Sequence, residues 1–216
     1  MRPFKNGLLA SLPAPVGLLL LCLPWGNPAA FATGIPEQGQ SQAPGAAPKK
    51  GEDRSTTRKP DVTYEPTTQH IVDKMLELAE VKKGDVIYDL GCGDGRIPVT
   101  AAKRYGVKAV GIEIDPVLVR ESKENAKKNG VSELVTIKQD DIFQVDLSEA
   151  SVVTLYLRPH LNVKLMPQLA KLKPGTRILS HLHDMKGAKP KNLIMIEDRP
   201  GVEHEIYLWV VPWEKE

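Results

Sequence analysis

Tyr88-Asp89-Leu90-Gly91-Cys92-Gly93-Asp94-Gly95-Arg96 is the stretch that decides the fold of this chain. It follows the apolar run Val86-Ile87-Tyr88 and leads into Ile97-Pro98-Val99-Thr100-Ala101-Ala102, so a strand runs through a glycine turn into a helix. Glycines at alternate positions, Gly91, Gly93 and Gly95, remove Cβ atoms where backbone must lie flat against a ligand or take a positive φ. A dinucleotide fingerprint would read G-x-G-x-x-G, with a pyrophosphate on the helix N-terminus. Here the third glycine comes one place earlier and Asp89 stands just before the turn. That combination suits a ligand with an ammonium group and no phosphate, held with Asp89 on its cationic side.

Working outward, the chain alternates helix and strand. Pro66 and Thr67 are expected to open a helix with Ile71, Val72, Met75, Leu76 and Ala79 on its apolar face. Lys82-Lys83-Gly84-Asp85 turns it into the first strand. After the glycine loop a helix runs to Tyr105, where Gly106 ends it. Val107–Glu113 reads as a second strand, and Asp115-Pro116 caps a helix that continues to Asn129-Gly130. Leu134–Lys138, Ser151–Leu157 and Thr176–His181 follow as strands three to five. The helix between the last two is expected over Val163–Leu172, with Pro167 kinking or restarting it.

The ending changes pattern. Leu193–Glu197 and Glu203–Val211 are two β-rich runs joined by the turn sequence Asp198-Arg199-Pro200-Gly201. The expected architecture is therefore an α/β doubly wound, seven-stranded Rossmann-like sheet, five strands in β-α alternation and a C-terminal antiparallel β-hairpin. A dehydrogenase-type sheet would continue βαβ to its end.

S-adenosylmethionine is a ligand of the kind the loop suits, and further acids are placed to hold it. Glu113 ends the second strand, where a carboxylate can accept from both ribose hydroxyls, the geometry also used for dinucleotides. After the third strand, Gln139-Asp140-Asp141-Ile142-Phe143 puts an acid where an adenine amino group would lie and an apolar residue where its ring would pack. Asp141 is preferred to Asp140 because Ile142-Phe143 follows it directly. The candidate cofactor set is Asp89, Gly91, Cys92, Gly93, Gly95, Glu113, Asp141 and Ile142. Each acid also has a plain structural reading, as a strand-end or loop-capping carboxylate.

Together Tyr88–Arg96, Gly111-Ile112-Glu113, Gln139–Phe143, Leu155–Pro159 and the hairpin resemble the class I S-adenosylmethionine-dependent methyltransferases. More narrowly, Tyr64-Glu65-Pro66-Thr67 ahead of the loop resembles two lysine-methylating groups. These are the seven-strand histone lysine methyltransferases, and the mitochondrial lysine methyltransferases for ATP synthase and the adenine nucleotide translocase with their small bacterial relatives. The resemblance covers roughly residues 62–211. It implies that the segment matching Tyr64–Thr67 folds over the cofactor and that Tyr156–Pro159 lines the acceptor channel. The chain lacks the long N-terminal helical domain of the histone enzymes.

Chemistry narrows the acceptor. Methylation at C5 of a pyrimidine needs a cysteine nucleophile, and the one domain cysteine, Cys92, sits in the cofactor loop. Methylation of exocyclic base or glutamine amides commonly uses an Asn/Asp-Pro-Pro-aromatic tetrad after the fourth strand. Here that place reads Leu155-Tyr156-Leu157-Arg158-Pro159. The resemblance implies a protein lysine amine as the acceptor, with Tyr64 and Tyr156 bordering it as candidate catalytic residues. Desolvation beside aromatic rings would lower the pKa of such an amine. A small-molecule acceptor, a non-catalytic S-adenosylmethionine-binding module and an NAD-dependent oxidoreductase are the competing readings.

The remaining features set bounds. Residues 1–60 hold 7 Lys and Arg against 3 Asp and Glu, and residues 61–216 hold 22 against 24. The folded part therefore lacks the basic excess of a nucleic-acid binder. Arg2 and Lys5 precede the apolar run Leu8–Leu23, and Ala30-Phe31-Ala32 offers a small-x-small cleavage site, so residues 1–32 read as a targeting segment. Those 16 residues would span ~24 Å of helix against a hydrocarbon core of ~30 Å, and Pro13 and Pro15 interrupt them. Export to a periplasm is expected, with membrane association or an organellar transit peptide as alternatives. S-adenosylmethionine is made in the cytosol, so an exported copy would need it delivered. Residues 33–60 are rich in Pro, Gly, Gln, Ser and Ala and read as a disordered linker. The domain itself is expected over 61–216. His181, His183 and Asp184 superficially suggest a metal, but polar residues at the mouth of a cleft explain them, and no metal is expected. His70 reads as a surface residue, and His160 lies near the proposed acceptor channel.

Overall fold

A computed structural model describes residues 59–61 and 63–216. The targeting segment expected at 1–32 and nearly all of the linker expected at 33–60 lie outside the described residues. The elements run α1 (Gln69–Leu78), β1 (Val86–Leu90), α2 (Arg96–Tyr105), β2 (Lys108–Glu113), α3 (Pro116–Lys128), β3 (Val135–Gln139), β4 (Val152–Leu155) and α4 (Pro159–Leu169). The chain then closes with β5 (Arg177–His181), β6 (Asn192–Arg199) and β7 (Val202–Val210).

The seven strands form one sheet in the order β3-β2-β1-β4-β5-β7-β6. β1 to β5 are parallel, and β7 enters antiparallel between β5 and β6. Parallel strands covered on both faces lose their alternation, and β4 is accordingly buried at every position. One face packs under α1, α2 and α3 through Ile71, Met75, Leu76, Ile87, Leu179 and Ile206. The other packs under α4 through Leu90, Ile112, Leu155, Leu165, Leu169, Ile178 and Trp209. Trp209 is fully buried, and its indole N–H donates to the Ala188 carbonyl at 2.8 Å. The strand order reverses between β1 and β4, so a crevice opens at the carboxyl ends of these strands.

Local chemistry explains the element ends. Gly106 ends α2 in the left-handed region at φ 64°. Asp115 caps α3, its Oδ1 accepting from the Val117 N–H at 2.7 Å, with Pro116 in the first turn. Strand β4 stops at Leu155, two residues short of the expected Leu157, and three further boundaries differ from expectation. Helix α1 starts at Gln69 because Thr68 takes the N-cap and accepts from the Ile71 N–H, which leaves Tyr64–Thr67 as an irregular strap. Helix α4 starts at Pro159, four residues before Val163, since a first-turn proline lacks only an N–H the helix does not use. Pro167 lies inside α4, which ends two residues later. Strand β6 runs on through Asp198 to Arg199, past a bulge, so the hairpin turn is only Pro200-Gly201, with Gly201 at φ 76°.

A buried ion pair closes the opposite end of the sheet. Arg177 pairs with Asp85 and donates through Nη1 to the Ala79 and Glu80 carbonyls at 2.7 and 3.0 Å, just beyond the end of α1. Burial pushes the Asp85 carboxyl up. The Lys82 N–H, the Ser151 hydroxyl and Arg177 outweigh it and hold the group below the usual carboxylate range.

Candidate active site

The glycine loop bends because three of its residues occupy the left-handed region: Gly91 at φ 79°, Gly93 at 55° and Gly95 at 76°. Their surroundings differ from the expectation that each serves a ligand. A Cβ on Gly95 would sit 2.8 Å from the Ser122 Cβ, so this glycine lets α2 approach α3. A Cβ on Gly93 would sit 2.2 Å from Cε2 of Tyr64, so Gly93 is the floor on which that ring lies. Of the three, Gly91 lines the crevice, which encloses about 330 Å3.

Asp89 ends up almost fully buried, with Oδ1 accepting from the Thr154 hydroxyl at 2.7 Å. Burial, helped by the carboxylates of Glu113 and Asp94, raises its pKa to about 7 despite that hydrogen bond. The β1–β4 register that places Thr154 beside Asp89 cannot be read from a sequence separation of 65 residues. Glu113 has a second occupation that its sequence position hides. Its Oε2 accepts from the Gly93 N–H at 2.9 Å, and Oε1 accepts from the Ile114 and Asp115 N–H groups at 2.8 and 2.9 Å. It therefore pins the glycine loop to the end of β2 while fronting the crevice. Asp141 Oδ1 accepts from the Phe143 N–H at 3.0 Å, and Ile142 lines the crevice beside it. Asp140 also lines the crevice, its Oδ1 accepting from the Asp141 N–H. Cys92 lines it too, but its Sγ lies toward Gly111 of β2, and burial pushes the thiol pKa well up.

The strap closes one side. Arg96 donates through Nη1 to the Thr67 carbonyl at 2.7 Å and through Nη2 to the Tyr64 hydroxyl at 3.5 Å. The same guanidinium pairs with Asp94 at 2.7 Å and, against the effect of burial, holds that carboxyl below its usual range. The Asp94-Gly95-Arg96 close of the loop thus serves the strap, a role invisible until the fold brings Thr67 alongside. Burial and then Asp94 raise the Tyr64 phenol pKa. From the far side, the Thr68 hydroxyl donates to Asp198 of β6 at 2.5 Å, and Thr67 Oγ1 lies 3.2 Å from His181 Nδ1.

Tyr156 forms the opposite wall. Its hydroxyl donates to Glu65 of the strap at 3.4 Å, and its ring lies 4.2 Å from that of His181 and 6.3 Å from that of His183. Burial, followed by Glu65, raises its pKa. His181 and His183 do not converge on a common point. Leu182 adopts φ 62° between them, and His181 Nε2 lies 2.7 Å from Nδ1 of His204 on β7. Burial and the neighbouring histidines lower the His181 pKa to about 4, so it is neutral at ordinary pH. Among the described residues no cluster of His, Cys, Asp and Glu could hold a metal ion. His70 and His160 are exposed, and neither lines the crevice.

One property of the lining stands out. It carries the carboxylates of Asp61, Glu65, Asp89, Asp94, Glu113, Asp115, Asp140 and Asp141 against a single guanidinium, Arg96, already paired. The apolar side is Ile97, Leu118, Ile142, Leu157 and Leu161. Such a site fits S-adenosylmethionine: apolar surface for adenine, buried acid for the α-ammonium, and no cation set for a phosphate chain.

Comparison with known proteins agrees. Residues 89–192 match the family model described as the ANTKMT methyltransferase domain. A protein-lysine N-methyltransferase of Saccharolobus islandicus is 48% identical over 154 residues, 70% of this chain and 95% of that protein. A lysine N-methyltransferase of Rattus norvegicus, named for ATP synthase, is 32% identical over 128 residues, 57% of this chain and 56% of that one. A solved structure described as an RNA methyltransferase from Salinibacter ruber, in complex with S-adenosyl-L-homocysteine, is 49% identical. It superposes with a TM-score of 0.64 over 68% of this chain and 94% of that one. The chain therefore belongs to the class I S-adenosylmethionine-dependent methyltransferases.

Proposed function

We propose that this enzyme transfers methyl groups from S-adenosylmethionine to the side-chain amine of lysine in a protein. The observation that carries the reading is the carboxylate lining of the crevice. An approaching ammonium is attracted by it, whereas an RNA backbone is repelled. The names of the Saccharolobus and rat relatives point the same way.

The cofactor supplies a methyl group already activated on sulfonium. The chain's own residues supply position and a dry approach. Asp89 takes the α-ammonium, Asp141 and Ile142 take the adenine, and Glu113 takes the ribose through lone pairs not aimed at the glycine loop. Tyr64 and Tyr156 border the acceptor nitrogen. Their rings strip water from it, which favours the neutral, nucleophilic amine. Glu65 holds the Tyr156 hydroxyl and stands at the entrance, placed to take the proton as the amine enters.

Methyl transfer from tritiated S-adenosylmethionine to a lysine-containing peptide, compared with the same peptide carrying arginine for lysine and with total RNA, tests the reading. Label in the lysine peptide alone is the expected result. Label in RNA alone would replace lysine with the acceptor class named for the Salinibacter structure. The apolar run Leu8–Leu23 further supports delivery of the chain to a membrane or beyond it. N-terminal sequencing of protein taken from its own cells tests this, a start near Thr33 being expected.

A further inference from the structure

The C-terminal hairpin continues past the sheet it belongs to. Strand β5 ends at His181, paired with Ile206, whereas β7 begins at Val202. Four residues of β7 and their β6 partners therefore project ~13 Å beyond β5, on the side where the crevice opens. One face of this projection is engaged, Asp198 with Thr68 at the start of α1 and His204 with His181 at the end of β5. The other face is open, and its composition is uneven.

Cross-strand partners share a face. Leu193 pairs with Tyr207, Met195 with Glu205 and Glu197 with Glu203, so these six side chains form one surface. Leu193 and Met195 are 44% and 51% exposed. Solvated strands rarely carry two such side chains beside one another without a partner. Glu197 and Glu203 are exposed beside them, and Tyr207 donates its hydroxyl to Glu205. Arg199, the cation on β6, is engaged with Asp198 at 3.6 Å.

This surface is continuous with the acceptor entrance. Tyr156 stacks on His183, whose pKa is lowered by burial and then by the Arg158 cation, while Asp184 and Glu65 pull it upward. Asp184 in turn acts on the Tyr207 phenol, raised to about 12 mainly by burial and Glu205. Tyr156 and His183 therefore stand beside one another at the crevice, two strands from the face that Tyr207, Glu205, Met195 and Glu203 share.

We propose that the outer face of the hairpin, Leu193, Met195 and Tyr207 framed by Glu197, Glu203 and Glu205, is the docking surface for a basic, partly apolar segment of the protein substrate beside its target lysine. The proposal rests on the lysine reading above and names what that reading leaves open, the sequence around the acceptor. Charge complementarity selects the cations, and the exposed Leu193 and Met195 select an apolar companion. Three strand spacings, ~14 Å, separate β4, which ends beside Tyr156, from β6. An extended chain covers that span in about four residues, so the recognised cations lie three to five positions from the lysine.

The test uses three synthetic peptides, each with one central lysine. One has arginines three to five positions away on both sides, one has glutamines there, and one has arginines only at the adjacent two positions. The enzyme is the full chain with S-adenosylmethionine. Expected is a kcat/KM at least tenfold higher for the distal-arginine peptide than for either other. In Glu197→Lys/Glu203→Lys that ratio falls to about one or inverts. Affinity for S-adenosyl-L-homocysteine by calorimetry serves as the check on folding. Met195→Lys, a single change at an exposed position, gives the same loss by an independent route. Equal use of all three peptides, or a preference that survives both variants, overturns the docking surface and leaves lysine as the acceptor. Failure to label any lysine peptide overturns the lysine reading itself, and the docking surface with it.

Discussion

Replacing Asp89 by asparagine is expected to weaken the cofactor and strengthen the empty protein. The folded carboxyl, buried and facing two other acids, holds its proton up to about pH 7. The ligand's α-ammonium requires it ionised. At pH 6 about one tenth of the sites carry the charge, so affinity for S-adenosyl-L-homocysteine should fall about tenfold per pH unit below 7. Above pH ~8 the ligand's own amine deprotonates and affinity falls again. Asp89→Asn removes the acidic limb of this profile. At pH 7.5 it costs about 3 kcal/mol, or ~100-fold in Kd, the scale for losing a buried charge-assisted hydrogen bond. Stability moves the other way. Between pH 4 and 7 the folded state keeps a proton that the unfolded chain has lost, so this group subtracts stability as pH rises. Asp89→Asn at pH 7.5 should therefore raise the unfolding free energy of the ligand-free enzyme, read by urea unfolding, by at most ~4 kcal/mol. Calorimetric titration from pH 5.5 to 7.5 and urea unfolding check both halves. A Kd independent of pH in the wild type, or an asparagine variant that binds as well, would refute the placement of the ammonium on Asp89.

Other expectations follow from the packing. Gly93→Ala puts a methyl group 2.2 Å from the Tyr64 ring at φ 55°, so the strap lifts; methyl transfer should drop at least tenfold, and the left-handed φ should cost about 1 kcal/mol by urea unfolding. Gly95→Ala drives a methyl group into Ser122 and forces α2 from α3, costing about 2 kcal/mol of stability by urea unfolding. Arg177→Ala leaves Asp85 buried and unpaired and should cost about 3 kcal/mol, while affinity for S-adenosyl-L-homocysteine stays unchanged. His181 stays neutral in the folded protein down to about pH 4, whereas the unfolded residue takes up a proton near 6.5. Its contribution is present above pH 6.5 and lost as pH falls to 4, about 1.4 kcal/mol per pH unit. That slope should be absent in His181→Asn, read from urea midpoints across the window.

The loop and the sheet were legible because their signals are local. Gly91, Gly93 and Gly95 must take positive φ, and the change from β-α alternation to two adjacent β runs needs no partner to be visible. What escaped depends on register or long-range approach. Thr154 beside Asp89, His204 beside His181 and Arg96 under Thr67 join residues 65, 23 and 29 positions apart. Glu113 shows the opposite difficulty: its position signals a ligand, yet three backbone N–H groups claim its carboxylate, a load that no side-chain pattern encodes. The early start of α4 follows from Pro159, whose value as a first-turn residue competes in the sequence with its value as a breaker.

The strap Tyr64–Thr67 is fastened on two sides, to the glycine loop through Arg96 and to the hairpin region through His181, with Thr68 tied to Asp198. Under the proposed function a spent nucleoside lies beneath it and leaves when one of those fastenings opens. The cycle proposed above then contains a mechanical event besides the chemical one. The hairpin end of the fastening belongs to the same two strands whose outer face stands free, so whatever presses on those strands bears on how long the used donor lingers.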